Sequence, residues 1–239
     1  MTSILEALSR RPFSVVGHRG AAGVKPENTL ASLEYAVENG ADVVEVDVRA
    51  TKDGKLILLH DESFERLVGL PLKARDLEYK WILENIRIGG ERIASLEDAL
   101  RHIGDKVYMF IEIKEPDITV DAIELVRRYG LINRVAFISF YDEVLSTVKT
   151  VEPRIVTGLI YFKPPGRIFD AKRLGARIVL PYYRIASSKA NATAHKLGLK
   201  VVVWTVNDLE VARQMINRGA DAIASDYPDM MARFRDELK

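Results

Sequence analysis

The sequence predicts an α/β fold, a TIM (β/α)8 barrel with a small insertion after a hairpin arm on its second strand. Three observations carry that reading. Short apolar, β-branched runs at 14–17, 43–48, 107–113, 135–139, 155–160, 177–181, 200–206 and 222–225 alternate with helical patterns along the chain. Near-continuous apolar strands in such alternation belong to a parallel sheet covered on both sides. The strands number eight once the 56–59 run is set aside, and 239 residues suit one barrel. Finally, Gly40, Gly104, Gly130, Gly175, Gly198 and Gly219 stand where left-handed caps end helices.

Taken in order, residues 1–11 lack the basic start and apolar middle of a signal peptide, and Leu5 and Leu8 are spaced as on a short helix. Helical patterns follow at 28–39, 96–102, 119–129, 142–151, 169–174, 186–197 and 209–218. The 43–48 strand carries Glu45 and Asp47 two residues apart, so both carboxylates share one face. It continues into Thr51-Lys52-Asp53-Gly54-Lys55, an Asp-Gly turn signal, and returns as Leu56-Ile57-Leu58-Leu59. That turn is too short for a parallel crossover, so 56–59 reads as an antiparallel arm that brings His60 back beside Asp47. Residues 61–95 break the rhythm and read as an insertion with a short helix near 77–85 and no convincing strand. Trp81, Leu83 and Ile86 are expected to pack it onto the barrel rim. Phe162-Lys163-Pro164-Pro165-Gly166 follows the 155–160 strand, as a rigid edge or lid at the mouth. No linker or low-complexity tract interrupts 1–239, which reads as one domain.

Composition narrows the function. A net charge of +1 without a basic stripe argues against nucleic acid as a partner. Without cysteine there is neither a disulfide framework nor thiolate chemistry. No apolar run approaches the ~18 residues of a membrane span, and the expected location is cytoplasmic.

Active sites of such barrels lie at the C-terminal ends of the strands. Those ends read Gly17-His18-Arg19-Gly20, Glu45-Val46-Asp47, Glu112-Ile113-Lys114, Ser139-Phe140, Trp204-Thr205-Val206-Asn207 and Ser225-Asp226-Tyr227-Pro228. Glu45, Asp47 and Glu112 form an all-oxygen set suited to one hard divalent cation, Mg2+ or Ca2+. The bland alternative pairs these acids with Arg19, Arg49 and Lys114, but three acids against few cations leave negative charge to neutralise. His18 and His60 are two of four histidines and flank the acids, as a general acid and base would. His18 alone would read as a core histidine; the convergence of His60 on the same acids favours catalysis. His102 and His195 lie on helices and read as structural or solvated. Arg19 and Lys114 suit a phosphoryl group or balance the acids. Phe140 and Trp204 either wall a substrate pocket or belong to the core.

At this point the chain resembles the glycerophosphodiester phosphodiesterase family. The likeness rests on His18-Arg19-Gly20, Pro26-Glu27-Asn28-Thr29, Glu45-Val46-Asp47, Lys52-Asp53-Gly54, His60-Asp61, Glu112-Ile113-Lys114, Ser139-Phe140, Trp204-Thr205-Val206-Asn207 and Asp226-Tyr227-Pro228. These pieces run in order from about 14 to 228, and only Ala94 and Ala224 depart from the expected pattern. The resemblance implies a metal-dependent barrel that hydrolyses glycerophosphodiesters to sn-glycerol 3-phosphate and an alcohol. It implies His18 and His60 as the acid–base pair, Glu45, Asp47 and Glu112 as metal ligands, and Arg19 and Lys114 as phosphate contacts. The 61–95 insertion resembles the family's own. One rival is a lysophospholipase D-like enzyme, for which Tyr161, Phe162, Ile168 and Phe169 would form the apolar track. Another is a catalytically silent barrel binding a phosphorylated ligand, against which both mouth histidines and all three acids stand.

Overall fold

A computed structural model describes residues 3–238; Met1, Thr2 and Lys239, at the ends of the expected domain, lie outside the described residues. The strands are β1 (Ser14–Gly17), β2 (Val43–Ala50), β3 (Leu56–Leu58), β4 (Arg87–Ile88), β5 (Glu91–Arg92), β6 (Tyr108–Ile113), β7 (Val135–Ser139), β8 (Val156–Tyr161), β9 (Ile178–Pro181), β10 (Lys200–Val203) and β11 (Ala222–Ser225). The helices are α1 (Ile4–Ala7), α2 (Leu30–Glu38), α3 (Glu65–Val68), α4 (Tyr79–Asn85), α5 (Leu96–Ile103), α6 (Thr119–Arg128), α7 (Asp142–Val151), α8 (Ile168–Arg173), α9 (Ser188–Lys196), α10 (Leu209–Asn217) and α11 (Pro228–Glu237).

All eight expected apolar runs become parallel strands in the order β1-β2-β6-β7-β8-β9-β10-β11, and β11 pairs back with β1 to close a TIM barrel. Side chains alternate across each strand. One set, including Val16, Val43, Phe110, Ile138, Ile160, Leu180 and Ala224, fills the barrel interior. The other set packs against the surrounding helices. Ile4 and Leu8, from α1 and its end, join the interior cluster, so the N-terminal helix plugs the end of the barrel opposite the mouth. At Gly158, inside the barrel, an added Cβ would come within 2.7 Å of Leu180 Cδ1 and 3.0 Å of Ile138 Cγ2, so a larger residue would have to displace those side chains.

The arm forms as expected. β3 runs antiparallel to β2 with Val48 opposite Leu58, and the Leu59 amide donates to the Asp47 carbonyl at 3.0 Å. β1 pairs only with the first residues of β2, which leaves the far half of that edge free for β3.

Several local expectations need correction. The first large helix starts at Leu30, because Asn28 is left-handed (φ 56°) and the Thr29 side chain caps the Ser32 amide. Of the six glycines, Gly104 is not left-handed (φ −61°); glycine is needed there because a Cβ would meet the Leu100 carbonyl oxygen at 2.4 Å. The strand expected to reach Val206 stops at Val203. The insertion contains a two-stranded hairpin, β4–β5, turned by Gly89 and Gly90. Its own small core holds Ile57, Leu59, Phe64, Ile82, Ile86 and Ile93. Ile86 packs as expected, whereas Trp81 is 39% exposed and Ile82 takes the buried place on α4. No helix among the described residues is long and apolar enough to cross a membrane.

Candidate active site

The barrel's register assembles the carboxylates. Asp47 and Glu112 are Cα partners across β2 and β6, and Glu45 lies two residues below Asp47 on the same inward face. Carboxylate oxygens of all three, each buried, lie within 4.8 Å of one another. Asn28 holds Asp47 from both sides: its amide nitrogen donates to Oδ2 at 2.9 Å and its carbonyl oxygen accepts from the Asp47 amide at 3.1 Å.

The positive groups lie among these acids. Lys114 Nζ is 3.0 Å from Asp47 Oδ1 and 2.5 Å from Glu112 Oε1. Arg19 stands just past β1 in a left-handed conformation, its amide donating to Glu45 Oε2 at 2.8 Å and its Nε 3.2 Å from Asp47 Oδ2. Arg49 turns away to the His60 carbonyl and Glu115, so it leaves the acids to the other two cations. Three buried acids therefore face two cations, and Arg19 is shared with Glu27 at 2.8 Å. Burial, reinforced by the Asp47 and Glu112 charges, pushes the Glu45 carboxyl up to about 8, and burial likewise raises Glu112. Asp47 goes the other way, because Lys114 and Arg19 outweigh its burial. Among the described residues Glu45 Oε1 has no hydrogen-bond partner. An orphaned buried carboxylate oxygen beside two further acids fits a hard cation, and this cluster could hold a metal ion.

Each mouth histidine is fixed through Nδ1. His18 Nδ1 lies 2.7 Å from Asp226 Oδ1, and Asn207 anchors that aspartate by donating from Nδ2 and accepting the Asp226 amide at 2.9 Å. His60 Nδ1 lies 2.7 Å from its neighbour Asp61. An ionised carboxylate only accepts, so Nδ1 carries the proton in both rings and Nε2 is left for a substrate. The two environments differ. Burial lowers the affinity of His18 for a proton, but the Asp226 hydrogen bond and the Glu45 charge more than reverse this. For His60, burial together with Lys114 and Arg19 prevails over Asp47, and its pKa falls.

Both histidines line one cavity of about 260 Å³, with Arg19, Glu45, Glu112 and Lys114 on its polar side. Phe110, Ile138, Phe140, Ile160, Leu180 and Trp204 form its apolar side. Phe140 and Trp204 are thus pocket wall, packed edge to face with centroids 5.8 Å apart, and Trp204 Nε1 donates to the Leu180 carbonyl at 2.7 Å. Phe162 extends the wall outward, its ring 6.0 Å from Phe140, where a second cavity shares His60, Glu112 and Lys114 and adds Tyr141. Of the four residues expected to form an apolar track, only Phe162 lines a cavity at the mouth. Tyr161 and Ile168 belong to the packing outside the sheet, and Phe169, 72% exposed, lines neither cavity. His102 pairs with Glu34 and His195 with Asp221 at 2.8 Å, in accord with structural roles.

Asn28, Asp61, Asn207 and Asp226 stand within the sequence motifs without an assigned task, and Arg66 stands outside them. Asn28 carries a readable trace, since a lone asparagine before a helix-capping threonine is a common left-handed residue.

The sequence matches the Glycerophosphoryl diester phosphodiesterase family over residues 18–230. It is 34% identical to a glycerophosphodiester phosphodiesterase of Caldanaerobacter subterraneus subsp. tengcongensis, across 91% of this chain and 95% of that protein. Among solved structures, it resembles a putative glycerophosphoryl diester phosphodiesterase of Silicibacter pomeroyi (TM-score 0.89, 25% identity, covering 98% of this chain and 97% of the other). It also resembles an Oleispira antarctica phosphodiesterase solved with the product sn-glycerol-3-phosphate (TM-score 0.85, 25% identity, covering 93% and 96%).

Proposed function

The chain belongs to the glycerophosphoryl diester phosphodiesterase family, and we propose that it hydrolyses glycerophosphodiesters to sn-glycerol 3-phosphate and an alcohol with one divalent ion, Mg2+ or Ca2+. The observation that carries this reading is the convergence, in one cavity, of two aspartate-fixed histidines with three clustered carboxylates.

Glu45, Asp47 and Glu112 would hold the ion, which supplies positive charge to the phosphoryl oxygens. Arg19 and Lys114, already beside those acids, would bind the same phosphoryl group and hold its phosphorus between the imidazoles. One Nε2 takes the proton of the attacking hydroxyl as its oxygen bonds to phosphorus. The other histidine enters as the imidazolium, protonated on both nitrogens, and its Nε2 gives a proton to the departing alcohol as the P–O bond breaks. The nucleophile is water or the substrate's own glycerol 2-hydroxyl. In the second case a cyclic phosphate forms first and water opens it, with the histidines exchanging roles between the steps. Phe140 and Trp204 would pack the carbon skeleton and exclude water from one side.

Incubation with glycerophosphoethanolamine followed by 31P NMR tests the bond that breaks. The expected product is sn-glycerol 3-phosphate, with a transient cyclic phosphate signal if the 2-hydroxyl attacks. Phosphoethanolamine as the product would contradict the assignment. The exposed Tyr141 and Phe162 favour a second reading, a lipid-bearing leaving group. A lysolipid competing with glycerophosphoethanolamine at equal concentration would reveal it by suppressing turnover of the smaller diester.

A further inference from the structure

Arg66 lies in the insertion, outside the cavity, yet three of its N–H groups reach back toward it. Its Nε donates to Asp61 Oδ2 at 2.5 Å, while Nη1 and Nη2 grip Glu27 at 2.9 and 2.7 Å. Asp61 uses its other oxygen on His60, and Glu27 Oε1 also accepts from Arg19 Nη1 at 2.8 Å. Arg19 in turn lies against Asp47. One alternating-charge chain therefore runs His60, Asp61, Arg66, Glu27, Arg19, Asp47. Phe64, fully buried in the insertion's own core, precedes the single turn of α3, and left-handed Gly69 ends it, so Arg66 is delivered from a turn packed onto that core.

We infer that Arg66 is a positioning residue through which the insertion orders both the His60 imidazole and the Arg19 guanidinium. This inference rests on the catalytic reading above. Asp61 is partly exposed and follows His60 directly, so alone it could swing into solvent; an arginine on its far oxygen fixes which oxygen faces Nδ1. Glu27 is more buried and lies between two arginines, so the same side chain sets how far Arg19 reaches toward the acids. An isolated half-exposed ion pair would contribute little. A planar guanidinium with three N–H groups committed to two carboxylates constrains direction as well as charge, which an ammonium does not.

The test compares Arg66→Ala, Arg66→Lys, Asp61→Asn and the Arg66→Ala/Asp61→Asn double variant, with Lys73→Ala as control. Lys73 is in the same insertion and pairs with Glu62 at 3.2 Å, a pair that is not a link in the chain of charges. With glycerophosphoethanolamine, Arg66→Ala should lose roughly 10–100-fold in kcat/KM, the range for residues that orient a catalytic ligand. Arg66→Lys should recover only part of that loss, and Lys73→Ala should stay within about twofold of wild type. The double variant should fall short of the product of the two single losses, because the Asp61–His60 branch is common to both and only the Glu27–Arg19 branch is separate. Independently of turnover, 15N NMR of the resting protein should show His60 as the Nδ1–H tautomer, changing to a mixture in Arg66→Ala. Wild-type activity with unchanged His60 signals in Arg66→Ala or Arg66→Lys would overturn the inference. So would multiplicative losses, or an equal loss in Lys73→Ala. If wild type does not turn over the diester, the NMR comparison still decides the positioning role, so the two failures are distinguishable.

Discussion

His18 and His60 share one device: a ring nitrogen held by an aspartate, with the opposite nitrogen presented to the cavity. If these nitrogens transfer the protons, His18→Ala and His60→Ala should each lower kcat by about 10²–10⁴-fold with an unchanged circular dichroism spectrum. A loss below tenfold in either variant would remove that histidine from the proposed pair. Asn28 belongs at the same scale. Asn28→Ala strips both hydrogen bonds from the buried Asp47 and puts a methyl group where φ is 56°. It should cost about 1–3 kcal/mol in urea unfolding, through the unmet buried partners. The charged residues facing the cavity were legible because they end apolar strands, where a histidine or carboxylate stands out. Their partners were not: Asp226 meets His18 across 208 residues, and Arg66 reaches Glu27 across 39, separations that no local pattern encodes.

At the scale of elements, strand positions read well because apolar β-branched runs can hardly be anything else in an alternating chain. Ends read less well. The strand expected over 200–206 ends three residues early, since Trp204 and Val206 remain apolar after the ladder stops. Gly104 shows why glycine is an ambiguous sign: close approach to Leu100 and Leu131 demands it as firmly as a left-handed cap would. For α1 the sequence marks a short helix but not its destination, because burying Ile4 and Leu8 requires a barrel floor that exists only after closure. Leu8 is fully buried there. Leu8→Ala should therefore lose about 2–5 kcal/mol in denaturant unfolding, as for leucines truncated in packed cores. A change below 0.5 kcal/mol would show the plug to be dispensable.

For the whole molecule, the barrel places three buried acids against two cations at one end, and a cation held there would couple metal, proton and stability. The folded pKa of Glu45 lies near 8, above the ordinary carboxylate value of 4.5 that applies when the chain is unfolded. Protonation of Glu45 therefore stabilises the metal-free protein fully below about pH 4.5, and that contribution is lost as pH rises through 8. A bound cation competes with this proton, so the gain in Tm from adding Mg2+ or Ca2+ should be larger at pH 8.5 than at pH 5.5. At a hundredfold excess over Kd the gain corresponds to about 2.7 kcal/mol. An equal gain at both pH values would separate Glu45 from the ion.

The most direct test of the central claim is release of sn-glycerol 3-phosphate from glycerophosphoethanolamine by wild type and His18→Ala, after EDTA and after restoring Mg2+ or Ca2+. The account predicts release by wild type that EDTA abolishes and either ion restores, with His18→Ala reduced at least a hundredfold from wild type whenever an ion is present. Release that survives EDTA, or that His18→Ala sustains at the wild-type rate, would contradict it.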